Sequence, residues 1–429
     1  MAGGHRIVTD KDATQSNSPN PLDSNEDKDI RLHGGFIVSG LASGHAPFHW
    51  FLQSFVVVLP EIQAAFQLGG VGVGAIVAVR ELASGIVALP GGVVVDILRK
   101  HWGLVLAACI GLFSLGSFAM GLISVYPVLL AGIAAVAMSH SIWHLAAASS
   151  MSYHLPQRRG LALSFHGVGG SIGDVAGPVV TGALLAVLSW QDILSIYAAV
   201  PFLLAFMALW AFRRLGRNAR GVLESGPDLE LKARVEVTKR LFKSPALWGL
   251  TLVKGLRGMA LVGLVTLLPL YLENDLGLST FSRGVHIGLL IAIGLVAKPV
   301  AGYASDRVGR KQVLVPGLLW SCAVCLLIIP YGDGLALTVL VALLGLFLYP
   351  DQPILTAAAL DIVGADVAST ALGMMAFIGF LLSAGSALIV GGLYQAWGVD
   401  PTLCYIAALF GLAATVFGLL RLTRVDPGS

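Results

Sequence analysis

The sequence predicts an all-α membrane protein with twelve transmembrane helices in two equivalent six-helix halves. Three observations carry that prediction. The chain of 429 residues is 56% hydrophobic and 12% charged, against about a quarter charged in soluble domains. Polar punctuation cuts it into twelve runs near the ~20 apolar residues that a bilayer span needs. The segment Gly92 to Lys100, GVVVDILRK, has an echo 210 residues later at Gly302 to Arg310, and the same shift carries Leu68 onto Leu278 and Gly74 onto Gly284. A register held so far is the mark of an internal repeat.

The twelve spans fall near residues 34–59, 70–96, 103–123, 126–151, 160–188, 191–212, 245–271, 281–304, 312–331, 334–360, 368–396 and 400–421. They divide the chain into a disordered tail (1–33), a first half (34–212), a linker (213–244), a second half (245–422) and a short tail (423–429). The first 33 residues are polar and lack the apolar core of a cleavable signal. Of 27 Lys and Arg, four lie inside spans (Arg80, Lys254, Arg257, Lys298) and Arg283 lies on one face alone; the other 22 occupy the opposite face and the tails. By the positive-inside rule both termini are cytoplasmic. The net charge of +3 is the residue of this asymmetry and implies no nucleic-acid partner.

Span 1 places His45 and His49 four residues apart, hence on one helical face. Imidazoles at bilayer depth are costly and face a cavity or a partner. Metal ligation, proton relay and hydrogen bonding across helices all fit such a pair. Span 2 holds Arg80 and Glu81 near mid-depth, where the repeat has Leu290 and Ile291. The scaffold works with aliphatics there, so the charges serve function or a buried ion pair. Neighbours point about 100° apart, so the two are not expected to neutralise each other. Span 4 repeats the pattern of span 1 with His140 and His144, and His154 at its basic end is expected in solvent. Span 5 is glycine-rich, bends at Pro178, and carries His166 and Asp174. Asp174 could hold a proton fed from His166, or pair with Arg80.

The linker 213–244 reads as a cytoplasmic strap, partly an amphipathic helix from Asp228 to Lys243. Span 7 sets Lys254 and Arg257 about 14 to 18 Å deep, where an Arg requires a carboxylate or an anionic substrate. Lys298 in span 8 is near enough to the surface to snorkel. Span 10 brings Asp351 between Pro350 and Pro353, a bent and locally opened helix, and offers the partner for Lys254 or Arg257. Cys109, Cys322, Cys325 and Cys404 all fall within spans, and the C-x-x-C pair reads as packing.

The loop at Gly302, Asp306, Arg307, Gly309, Arg310 and Lys311, with its first copy at Gly92, Asp96, Arg99 and Lys100, resembles the signature loop of the major facilitator superfamily. The first copy has Ile97 where the Arg would stand. The resemblance covers residues 34 to 422 and implies two six-helix bundles working by alternating access. In it the loop charges latch one state, and helices 1, 4, 7 and 10 line a central cavity. Gly173, Gly177 and Pro178 resemble the fifth-helix motif of proton-coupled antiporters. His140 to Leu145, the stretch RRGLALSFHGVGGSIGD, and His45 with Gln53 are similar to the branch of fosmidomycin-resistance-type exporters.

The first expected function is therefore proton-coupled export of a small organic anion or drug-like solute. Asp174, Glu81, His45, His140 and His166 are its proton candidates; Arg80, Lys254, Arg257, His49, His144 and Asp351 are its substrate candidates. The alternative is transport of iron or another divalent metal on His45, His49, His140 and His144, resembling magnetosome facilitators. It ranks second because buried Arg and Lys would repel a cation. A transporter-shaped sensor would need a folded extramembrane domain, and no segment is long enough. No H-E-x-x-H, phosphate loop or nucleophile elbow supports an enzyme, and no cofactor is expected. The expected partners are the lipid bilayer, a solute and protons, for a monomeric transport unit in a bacterial inner (cytoplasmic) membrane or one derived from it.

Overall fold

The computed structural model describes residues 29–216, 243–363 and 368–421. The polar tail through residue 28, the expected linker helix as far as residue 242, the last residues of the C-terminal tail and the side chain of Asp96 lie outside the described residues.

Among the described residues twelve long helices follow the predicted spans closely. They are α1 (Gly34–Val57), α2 (Gly70–Ile97), α3 (Trp102–Leu122), α4 (Tyr126–His154), α5 (Arg159–Leu184) and α6 (Trp190–Ala211), then α7 (Pro245–Leu270), α8 (Thr280–Val308), α9 (Arg310–Tyr331), α10 (Gly334–Leu348 continued by Asp351–Val363), α11 (Ala368–Trp397) and α12 (Val399–Leu419). Among the described residues ten are apolar enough to cross a membrane by length and composition. The two that fall short are α1 and α5, diluted by the histidines, the glycines and Asp174. The break in α10 falls beside Asp351, as its flanking prolines predict.

Polar residues set the ends. Ser189 and Asp192 form a capping box at the start of α6, and Ser244 caps α7 with Pro245 in its first turn. The turn between α8 and α9 passes through Gly309 at φ 104°, a conformation that L side chains avoid. Each half has its own apolar core, built in the first around Phe48, Phe113 and Trp143 and in the second around Phe410, Phe417 and Leu344. Large apolar side chains such as Phe202, Phe206 and Val296 remain on the outside, the arrangement a lipid solvent favours.

Within the halves α1 packs on α5 and, equivalently, α7 on α11; between the halves α2 packs on α11 and α5 on α8. Both inter-half seams are tightest on the face opposite the basic loops. A Cβ on Gly70 or Gly391 would collide with the other's carbonyl oxygen, and one on Gly182 or Gly284 would meet the backbone of α8 or α5. This second face is acidic, carrying Glu61, Asp192, Glu273, Asp275, Asp333 and Asp400. On the basic face a Cβ on Gly92 or Gly302 would meet nothing within 4 Å. These two motif glycines therefore make no close approach to another helix in this conformation. Among the described residues the halves touch closely on the acidic face, while Gly92 and Gly302 on the basic face stand against open space.

Three further sequence expectations need correction. Arg80 and Glu81 do pair, Nη2 to Oε1 at 2.7 Å; the long guanidinium stem folds back across the angle between their Cα atoms. Lys298 does not snorkel but sits half-buried, its ammonium 5.8 Å from the Tyr349 ring centre. His154 is half-buried rather than solvated, since the end of α6 folds over it and Gly216 N–H reaches its Nε2 at 3.5 Å.

Candidate functional site

The site begins with a packing fact. Glycines at 169, 170, 173 and 177 let α5 lie directly against the backbone of α1, and a Cβ on Gly170 would stand 2.7 Å from His45 Cε1 and 3.0 Å from His49 Cδ2. Close approach of this kind is what small residues provide between membrane helices. It presses His45 and His49 forward onto α4, which presents His140 and His144 from one face.

The four imidazoles form a chain through their Nε2 atoms. His45 meets His144 at 3.1 Å, His144 meets His140 at 3.0 Å, and His140 meets His49 at 3.3 Å. One ligand nitrogen from each of the four lies within 4.8 Å of every other. A fifth ring, His166, stacks on His45 with centroids 4.0 Å apart and planes 7° apart. Neither of its ring nitrogens makes a well-formed hydrogen bond. His45 is 3% exposed, whereas His49, His140 and His144 are half-buried.

The outer hydrogen bonds fix the tautomers of the two end rings. His45 Nδ1 meets the His166 carbonyl at 3.0 Å and His49 Nδ1 meets Asp174 Oδ1 at 2.9 Å. A carbonyl and a carboxylate only accept, so both Nδ1 atoms carry hydrogen and both neutral rings aim an Nε2 lone pair inward. Along a chain of four neutral rings, donor and acceptor must then alternate from an acceptor at one end to an acceptor at the other. Three contacts do not permit that: one of them always sets lone pair against lone pair or hydrogen against hydrogen. A positive centre removes the conflict, either one extra proton or a metal ion. Adjacent ligands around a first-row metal at about 2.0–2.1 Å stand about 2.8–3.0 Å apart when cis on an octahedron and about 3.3–3.4 Å apart along a tetrahedral edge. Nδ1–H bonds to a carboxylate and to a backbone carbonyl are also the usual outer partners of ligating histidines.

Arg257 on α7 is 6% exposed and Asp351 4%; they pair through Nε and Oδ2 at 2.7 Å, and Arg257 Nη2 also donates to the Leu348 carbonyl, which the break in α10 frees, at 2.5 Å. Arg80 is taken by Glu81. Neither Lys254 nor Lys298 has a carboxylate within ion-pair distance among the described residues; Lys298 interacts electrostatically with Asp174, Asp351 and Arg257, and Lys254 with Arg257. The pairing of Asp174 with Arg80 does not occur; Asp174 goes to His49. Of the loop residues, Arg310 binds Asp306 and Asp361, Arg307 lies over the Tyr303 ring at 4.6 Å, and Arg99 lies 6.0 Å from the Trp102 ring. Lys100 is exposed.

Sequence reasoning missed one assembly on the acidic face. The Arg283 side chain, 0% exposed, binds Glu61 of the first half and Glu273 of the second. Asn274 donates to Gln63 beside it at 3.0 Å. The available signal was the isolation of Arg283, the one cation on a face rich in acids.

Comparison with known proteins completes the description. The family model described as Major Facilitator Superfamily matches residues 41–300 and 288–429. The Uncharacterized MFS-type transporter YfnC of Bacillus subtilis (strain 168) is 26% identical over 265 residues, 61% of this chain and 63% of that protein. The fosmidomycin resistance protein of Escherichia coli (strain K12) is 22% identical over 343 residues, 78% of this chain and 80% of that protein. Among solved structures, a bacterial homologue of the human lysosomal transporter Spinster, inward-facing and occupied, superposes with a TM-score of 0.76 at 14% identity, covering 90% of this chain and 96% of that one. At that identity the likeness shows the fold alone.

Proposed function

The chain belongs to the Major Facilitator Superfamily, and from that premise we propose that it is an alternating-access transporter whose cargo contains a first-row transition-metal cation carried on His45, His49, His140 and His144. One observation carries the choice of cargo: four imidazole nitrogens converge, and the two end rings are locked with their lone pairs inward. Imidazole suits zinc, iron, nickel and copper. The objection from buried cations weakens, because Arg80 and Arg257 are each neutralised by a carboxylate. With the basic face taken as cytoplasmic by the charge rule, the close acidic seam and the open space at Gly92 and Gly302 support an inward-open reading.

The second reading is proton-coupled export of an organic anion or drug-like solute. It is supported by the two lysines without carboxylate partners and by the likeness to a fosmidomycin resistance protein. There a proton occupies the imidazole chain and the solute's charge rests on Lys254 and Lys298.

Proteoliposomes with a metal-sensitive dye inside and a pH-sensitive dye in parallel separate the two. Flux of Zn(II), Ni(II) or Co(II) in wild type, lost in His144→Ala, supports the metal reading. Proton movement elicited by organic anions, with no metal flux, refutes it in favour of the second.

A further inference from the structure

The four imidazoles come as two helical pairs, and the way the pairs meet selects among metal ions. His45 and His49 stand about one turn apart on α1, and His140 and His144 about one turn apart on α4. The two helices run in opposite directions, so His45 meets His144 and His49 meets His140. Two pairs set side by side in this way outline a four-cornered ring. A tetrahedral set is reached instead by crossing one pair over the other at a right angle.

The ring separations show which arrangement is nearer. Around the ring the centroids are 4.4 Å apart for His45 and His49, 5.0 Å for His49 and His140, 4.5 Å for His140 and His144, and 4.5 Å for His144 and His45. Across it they are 6.3 Å apart for His45 and His140 and 5.7 Å for His49 and His144. With bonds of about 2.0–2.1 Å and a ring centre about 1.1 Å beyond each nitrogen, a tetrahedral ion would hold all six pairs about 5.1 Å apart. On the same bond length a square would set neighbours about 4.5 Å and diagonals about 6.3 Å apart. The observed values lie closer to the square, with one diagonal short, which describes a tetrahedron flattened toward a plane. The Nε2 contacts of 3.0 and 3.1 Å are likewise nearer the cis spacing, and the third, at 3.3 Å, matches a tetrahedral edge.

Zinc has no geometric preference from its d electrons and settles in tetrahedral sets. Four nitrogens drawn toward a plane suit Cu(II) and Ni(II). Resting on the metal reading above, we propose that the site takes ions of tetragonal preference, Cu(II) and Ni(II), ahead of Zn(II). The side-by-side pairing of α1 and α4 sets that preference, because the helices fix the corners from which the rings reach inward.

The test uses the full chain in detergent with one equivalent of metal. Electron paramagnetic resonance of the Cu(II) form should be axial, with wide copper splitting along the unique axis and nitrogen splitting from four in-plane donors. In direct competition Ni(II) should bind roughly tenfold or more tighter than Zn(II). In His144→Ala the nitrogen pattern should fall to three donors, and both Cu(II) and Ni(II) should bind roughly tenfold or more weaker. The wild-type spectrum decides the geometry even where a histidine variant fails to fold. A rhombic Cu(II) spectrum with collapsed copper splitting, or Zn(II) held as tightly as Ni(II), overturns the proposal and leaves the metal reading standing. Absence of Cu(II), Ni(II) and Zn(II) binding by the wild type, or binding unchanged in His144→Ala, overturns the metal reading itself.

Discussion

Replacing Glu61 by Gln should release the acidic-face seam and shift the conformational balance. Glu61 follows α1 in the first half, whereas Arg283 and Glu273 both belong to the second, so of the two ion pairs on Arg283 the one to Glu61 crosses between the halves. Arg283 has no exposed side-chain surface and Glu61 is 23% exposed. The bond is thus a mostly desolvated, charge-assisted one, worth about 1.5–3 kcal/mol. It exists only when the acidic face is closed, so its loss is felt wholly by that state. The equilibrium should move toward the state open on the acidic face by roughly 10-fold to 150-fold. A 99 to 1 preference would fall to roughly 10 to 1 at the low end and to about 2 to 3 at the high end.

Spin labels at Ile97 and Val308, exposed positions at the basic ends of α2 and α8, report that balance as a distance distribution. The exposed native thiol Cys404 is replaced by Ser in the parent. In wild type the long distance, basic ends apart, should dominate; in Glu61→Gln a short-distance population should grow. Glu273→Gln is the control, because its bond to Arg283 lies within one half and survives the transition. An unchanged distribution in Glu61→Gln, or an equal shift in Glu273→Gln, would refute the idea that this bridge holds the seam.

Gly391→Ala should act on the same equilibrium by a steric route: the new Cβ meets the Gly70 carbonyl, overpacking of the kind that costs about 1–3 kcal/mol, and the same labels should show the acidic seam opening. Arg257→Met leaves Asp351 buried and uncompensated, so the midpoint of thermal unfolding in detergent should fall by an amount equivalent to about 3–5 kcal/mol, and the double change with Asp351→Leu should restore most of it. Asp174→Asn removes the charged partner that orients His49; cobalt binding followed by its visible absorption should weaken about 10- to 100-fold without loss of the folded protein. Gly170→Ala should disturb His45 and His49 together, since its Cβ would stand 2.7 Å and 3.0 Å from their rings, and cobalt affinity should fall while Gly167→Ala, with nothing within 4 Å, serves as the silent control.

Apolar runs and their polar punctuation determined the twelve helices and the two halves, because a bilayer span is a local property of about twenty residues. The break at Asp351 was legible for the same reason, as a carboxylate flanked by prolines. Periodicity also fixed that His45 with His49, and His140 with His144, share a face. It did not fix which faces meet: the contacts that close the imidazole chain join residues 91 and 99 positions apart, and the one to Asp174 spans 125. Those depend on glycines of α5 drawing α1 inward, a packing outcome between distant segments. Side-chain reach likewise decided that Arg80 folds onto Glu81, against the angle between neighbouring Cα atoms. The state of the molecule came from tertiary structure alone. Both arrangements of the halves use the same helices, and which seam is closed depends on contacts such as Glu61 to Arg283, 222 residues apart.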